Sequence, residues 1–183
     1  MTDRDILAAD RAALAADRAA NGGQTGRAAT LRALLYDPAF WTIWLYRKAA
    51  GLYPRHPRFA QLIWRLKVAT TGCFLHPQSR IGPGLALPHP TAVVVGSGSR
   101  IGAGVTLYQG VTLGRSRDPN GYPTLGQGVV VYPNAVLIGA ITVGDGAVIG
   151  AGSFVNADVP AGVTVAGSPA RPIGSSARAT AAQ

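Results

Sequence analysis

The chain has 183 residues, enough for one domain with room for a small helical appendage. Its composition, 48% hydrophobic and 14% charged, excludes a disordered chain, while 24 Gly and 13 Pro argue for many tight turns rather than a helix bundle. A single Cys excludes an internal disulfide and a multi-cysteine metal site, and the absence of a long apolar run or a secretory signal makes the cytoplasm the expected compartment.

The net charge is +9, from 17 Lys+Arg against 8 acids, and every acid is Asp. Residues 1–27 are neutral and form an Ala-rich extension, helical or disordered. Within it Leu7-Ala-Ala-Asp-Arg-Ala-Ala is followed by Leu14-Ala-Ala-Asp-Arg-Ala-Ala. Two heptads with a thin Leu stripe predict a solvated helix sooner than a coiled coil. The run from Asn21 to Gly26 reads as a linker. Residues 28–74 form a basic, aromatic-rich segment: Arg32, Arg47, Lys48, Arg55, Arg58, Arg65 and Lys67 face one acid, Asp37. Two helices are predicted, over 38–51 and 57–70, split by Tyr53-Pro54-Arg55-His56-Pro57. The preferred reading is a helical cap whose aromatics pack on the rest of the domain. Peripheral membrane contact through residues 28–70 is the other. No motif supports nucleic-acid binding.

From residue 75 the period becomes six. Leu75, Ile81, Leu87, Val95, Ile101, Leu107, Leu113, Leu125, Val131, Leu137, Val143, Ile149 and Val155 recur at that spacing, with a two-residue insertion after Leu87 and a longer loop after Leu113. A short strand points alternate side chains inward, and a Gly-rich turn then redirects the chain. Three six-residue sides close one triangular coil. This pattern predicts a mainly β fold, a parallel β-helix of hexapeptide repeats over 75–166, with 167–183 as a C-terminal tail. So thin a solenoid buries little core, so oligomerisation is expected.

Chemistry is expected where the repeat is broken. One break is Leu87-Pro88-His89-Pro90-Thr91, the other the polar loop from Gly114 to Pro123. His89 sits between two prolines that stiffen the backbone. Of the other two His, His56 lies in the helical connector, and His76 follows the first inward Leu as a turn residue.

The segments His76-Pro77, Ile81-Gly82-Pro83-Gly84, His89-Pro90-Thr91, Val105 to Gly114, Gly121-Tyr122-Pro123, Ile149 to Ser153, Asp158-Val159-Pro160 and Ala166 to Arg171 resemble the serine acetyltransferase branch of the hexapeptide acyltransferases. The resemblance spans about residues 40–174. It implies a left-handed β-helix, a homotrimer with active sites between subunits, acetyl-CoA as co-substrate and no metal. It makes His89 the catalytic general base, with direct transfer to a hydroxyl. It places Ala151, Pro169, Ala170 and Arg171 on the cofactor. Arg115 and Arg117 are further candidates for its phosphates.

Three positions depart from the family's pattern. Phe74 stands where an Asp orients the catalytic His, Pro88 where an Asp binds serine, and Gly121-Tyr122 where an Arg-His pair contacts serine. A zwitterionic amino acid needs an anion and a cation, so the favoured acceptor is a sugar or exopolysaccharide intermediate, with L-serine as the alternative. Tyr122, Asp118 and His76 are the acceptor-binding candidates, and Asp118 or a backbone carbonyl is the expected support for His89. A non-catalytic trimeric scaffold is a further alternative. A γ-carbonic-anhydrase-type metal site needs three His on the solenoid, where only two exist. An acyl-enzyme on Cys73 is disfavoured by its place in the first coil.

Overall fold

A computed structural model describes residues 3–22, 33 and 36–175. The six-residue period is realised as strands of two or three residues separated by tight turns, so that the chain winds into a three-sided parallel solenoid. The first sheet holds β1 (Phe74–Leu75), β3 (Val94–Val95), β6 (Thr112–Gly114), β9 (Val136–Ile138) and β12 (Phe154–Val155). The second holds β2 (Arg80–Ile81), β4 (Arg100–Ile101), β7 (Thr124–Leu125) and β10 (Thr142–Val143). The third holds β5 (Thr106–Leu107), β8 (Val130–Val131), β11 (Val148–Ile149) and β13 (Val163–Gly167), closed by the antiparallel β14 (Ala170–Ser175).

Register turns the repeat into columns. Leu75, Val95, Leu113, Leu137 and Val155 stack on one side, and Ile81, Ile101, Leu125 and Val143 on the second. Leu107, Val131, Ile149 and Val165 form the third column, with Leu87 at its head through the bridge between Ala86 and Thr106. All thirteen period-six positions are buried. Each contributes about 1.5–3 kcal/mol of apolar burial, and the columns thus hold the solenoid together. The corner after the second sheet needs a left-handed residue in each coil, supplied by Gly84, Gly104, Gly128 and Gly146 at φ +63° to +78°.

Among the described residues three helices cover the open edge of the first coil. They are α1 (Asp3–Ala20), α2 (Pro38–Leu52) and α3 (Pro57–Thr71). The Asp37 carboxylate accepts hydrogen bonds from Ala39 N–H (2.9 Å) and Phe40 N–H (3.1 Å) at the start of α2, and Gly72 ends α3 at φ 66°. The expected cap is therefore present, and its mechanism is specific. The first coil has no strand above it, so its outer backbone groups need side-chain partners. Lys67 Nζ donates to Cys73 O (2.7 Å) on the first side. Tyr46 Oη donates to Ser79 O (2.8 Å), and Arg47 donates to Ile81 O and Gly82 O, on the second. On the third side Leu85 N–H donates to Asp17 Oδ1 (2.8 Å), Asn21 Nδ2 donates to Leu85 O (2.9 Å), and Leu87 N–H donates to Asn21 Oδ1 (2.8 Å).

This corrects the reading of the N-terminal helix as a solvated extension. Asp17 is fully buried and paired with Arg47 Nε at 3.0 Å. Asn21 belongs to the cap rather than to a linker. The rest of that expected linker, 23–26, and the end of the tail, 176–183, lie outside the described residues, as do Arg32 and the side chain of Leu7. Phe40, Ile43 and Tyr46 of α2 are buried, whereas Phe59, Leu62 and Leu66 on the outer face of α3 are exposed. Among the described residues no helix is long and apolar enough to cross a membrane.

Candidate active site

The two breaks in the repeat leave the solenoid at different corners. Between the third and first sheets, the second coil runs Leu107-Tyr108-Gln109-Gly110 and the first Leu87-Pro88-His89-Pro90-Thr91-Ala92. Gly110 N–H donates to Thr91 O (3.0 Å), so the wall resumes its register at Thr91. Ala92, at φ 55°, then takes the left-handed place that Gly110, Asn134 and Gly152 take in the coils below. Two residues too many must leave the wall, and the bulge carries His89 out into solvent. Thr91 N–H donating to His89 O (2.8 Å) closes it. The imidazole points away from the interior.

Below His89 the same edge carries a column the sequence reasoning missed. The His89 ring lies 6.4 Å from that of Tyr108, which stacks on Tyr132 at 5.2 Å with the planes 10° apart. Both Tyr follow directly on inward residues, Leu107 and Val131, and their matching place in successive coils was the available signal. Further down, Ala151 is exposed at this corner, and Gly167 N–H donates to Ser153 Oγ (3.2 Å), tying the β13–β14 hairpin to it. Pro169 and Ala170 belong to that hairpin. Arg171 is exposed, with one guanidinium N–H on Ala170 O (2.9 Å). The candidate base and the four candidate cofactor residues thus share one edge. Three coil-to-coil steps of ~4.8 Å separate His89 from Ala151.

The acceptor candidates lie elsewhere in the same chain. The loop carrying Asp118 and Tyr122 leaves the corner between the first and second sheets, and His76 sits at that corner in the first coil. His76 is engaged by the cap: its ring is 5.3 Å from Trp64, its Nδ1 accepts Gln78 N–H at 3.2 Å, and burial first and Lys67 second hold its pKa below the usual histidine value. The Asp118 carboxylate accepts Asn120 N–H (2.9 Å) and so braces its own loop, not His89. Tyr122 lies over the Gly96–Gly98 turn so closely that a Cβ on either glycine would come within 2.3 Å of the ring, and Ser97 Oγ donates to its hydroxyl (3.1 Å). That packing takes up the ring expected to stack on a sugar. Arg115 and Arg117 stand exposed on the same loop.

Among the described residues no three His, Cys, Asp or Glu converge as metal ligands. Cys73 is buried under the cap, and burial first raises its thiol pKa, with the Val93 backbone hydrogen bond, Lys67 and Thr71 opposing. Such a thiol is a poor nucleophile. One chain therefore presents an exposed imidazole at the head of a long edge, and a loop of mixed charge at another corner.

Comparison with known proteins places this architecture. Residues 122–157, in the lower coils, match the family described as bacterial transferase hexapeptide (six repeats). A serine acetyltransferase from Helicobacter pylori is 42% identical over 143 residues, 76% of this chain and 84% of that one. Two solved structures share the fold. The serine acetyltransferase of Neisseria gonorrhoeae in complex with serine superposes with a TM-score of 0.79 at 34% identity, over 93% of this chain and 70% of that one. That of Brucella abortus in complex with coenzyme A gives 0.78 at 32%, over 94% and 69%. With a left-handed β-helix, a helical cap on its first coil and an imidazole bulged from the wall, the chain belongs to the serine acetyltransferase family of hexapeptide-repeat O-acetyltransferases.

Proposed function

We propose that this chain, as a homotrimer, transfers the acetyl group of acetyl-CoA to the hydroxyl of L-serine. The observation that carries the reading is the edge on which exposed His89 heads a line ending at Ala151 and the β13–β14 hairpin, in a chain 42% identical to a serine acetyltransferase over most of its length. The sugar acceptor favoured from Phe74, Pro88 and Tyr122 gives way. The relatives are named for serine, and the Tyr122 ring is already packed on its own coil.

In this mechanism the pantetheine arm of acetyl-CoA lies along the edge, its phosphates near Arg171 and its thioester at the His89 end. Neutral His89 takes the proton of the serine hydroxyl as that oxygen bonds to the thioester carbon. The tetrahedral intermediate collapses, the carbon–sulfur bond breaks, and the imidazolium returns its proton to the leaving thiolate. Within the bulge His89 N–H is the donor left for the oxyanion, since Pro88 and Pro90 carry no N–H and Thr91 N–H is held by His89 O. The acceptor needs a cation for its carboxylate and an anion for its ammonium. Arg115, Arg117 and Asp118 together offer both, and a neighbouring protomer in the trimer brings them to the His89 edge.

The test is an acceptor assay with the purified chain and acetyl-CoA, following release of free thiol. L-serine turnover is expected, and loss of it in His89→Ala. Turnover of a nucleotide sugar with none of serine would restore the sugar reading. Equal background rates for the wild type and His89→Ala would leave a scaffold.

A further inference from the structure

Away from the His89 edge, the first and second coils carry two arginines whose charge nothing in the described chain answers. Arg80 and Arg100 are paired in parallel register on β2 and β4, and both are exposed. Adjacent strands hold such residues ~4.8 Å apart, so the guanidinium groups leave the wall side by side and repel each other. The acids whose side chains are described are committed elsewhere. Asp17 pairs with Arg47, Asp37 caps α2, and Asp118 accepts Asn120 N–H. Asp145 accepts Gln127 N–H (2.7 Å), and Asp158 accepts Thr142 N–H (2.7 Å). Among the described residues neither guanidinium group forms an ion pair or a hydrogen bond.

The two arginines open onto a cavity of about 340 Å³ between the Gly96–Ser99 turn and the loop at Pro119–Tyr122. Gln78, Asn120 and Tyr122 complete its polar wall. Ser99 also lines it, is 1% exposed, and has a hydroxyl with no hydrogen-bond partner. Two like charges held together are unfavourable unless a ligand relieves them. No carboxylate stands in the wall.

We propose that this cavity binds an organic phosphate, its phosphoryl oxygens bridging Arg80 and Arg100 and its organic part lying against Gln78 and Asn120. A phosphate neutralises both guanidinium groups at once and suits their planar donor faces, whereas a carboxylate carries one charge. The volume exceeds what a bare phosphate fills. The site stands on its own geometry and does not depend on which hydroxyl is acetylated at His89. Its phosphate can come from the acyl donor or from a separate nucleotide, which the experiment separates.

The full-length chain is titrated at low ionic strength with inorganic phosphate, uridine diphosphate and coenzyme A. Calorimetry and the arginine Nε–H resonances of the wild type are followed. An organic phosphate is expected to shift the Arg80 and Arg100 signals, and Arg80→Gln with Arg100→Gln to weaken its binding at least tenfold, while His89→Ala leaves it unchanged. Uridine diphosphate shifting these signals in preference to coenzyme A assigns a separate ligand. Coenzyme A shifting them, with a raised KM for acetyl-CoA in the double variant, assigns the donor. Inorganic phosphate binding as tightly as either, unmoved arginine signals at millimolar ligand, or undiminished binding by the double variant overturns the proposal.

Discussion

In the proposed reaction His89 acts at the scale of a single residue because the wall below it is complete without it. Register resumes at Thr91 and the column under Leu87 is uninterrupted, so the exposed ring is free for that chemistry and adds little packing. We expect His89→Ala to lower kcat for acetyl transfer by about 10²–10⁴-fold, with the melting temperature and coenzyme A binding unchanged. Loss of stability in parallel with activity would point to a structural role instead. Lys67 is the converse case, a buried cation whose partner is a neutral carbonyl, Cys73 O at 2.7 Å. Burial lowers its pKa to about 8, below the ordinary 10.5 expected once unfolded. Between those values the unfolded chain binds more protons than the folded one, so stability rises with pH across that window and the penalty is full below it. From pH 8 to 9 the gain is about 1 kcal/mol. Above pH 9 the raised thiol pKa of Cys73 acts in the opposite sense. Urea denaturation at pH 8 and 9 should show the gain in the wild type and not in Lys67→Met.

The element that decides whether the solenoid can end where it does is the helical cap. A parallel coil without a neighbour above it leaves a full turn of backbone donors and acceptors, and α1, α2 and α3 each supply side chains to one side of the triangle. Asn21 acts as a missing strand residue, donating to Leu85 O and accepting from Leu87 N–H. Replacing it by Ala is expected to cost about 1–3 kcal/mol. Asp17→Ala also strands the largely buried Arg47 side chain and should cost about 3–5 kcal/mol. Denaturation of the two variants checks the order, and equal, small effects would mean that α1 is dispensable to the cap.

At the scale of the whole molecule, one chain keeps its imidazole and its charged loop at separate corners, so the proposed site needs two protomers. Chains carrying His89→Ala and chains with the loop disabled by Asp118→Ala and Arg117→Ala should each be inactive as homotrimers. Mixed one to one through unfolding and reassembly, they should recover about a quarter of wild-type activity, the chance that a site draws each half from an intact chain. No recovery would mean that each protomer builds its site alone.

The amino-acid sequence by itself determined the solenoid. A six-residue period is a local signal: every inward Leu, Ile or Val faces the same environment as its counterparts above and below, so composition and spacing suffice to specify the coil. The boundaries of α2 and α3 were equally legible, since Asp37, Pro38, Pro57 and Gly72 mark them in the chain. The bulge at His89 was legible as two residues too many. What only the tertiary structure decided were relations across long stretches of sequence. Asp17 reaches Leu85, Tyr108 stacks on Tyr132, Tyr122 lies on the Gly96–Gly98 turn, and Arg80 stands beside Arg100. None of these leaves a periodic trace, because each depends on which corner a turn occupies and which coil lies next to it. That is set by the summed packing of all three sides and not by any residue's neighbours in the chain.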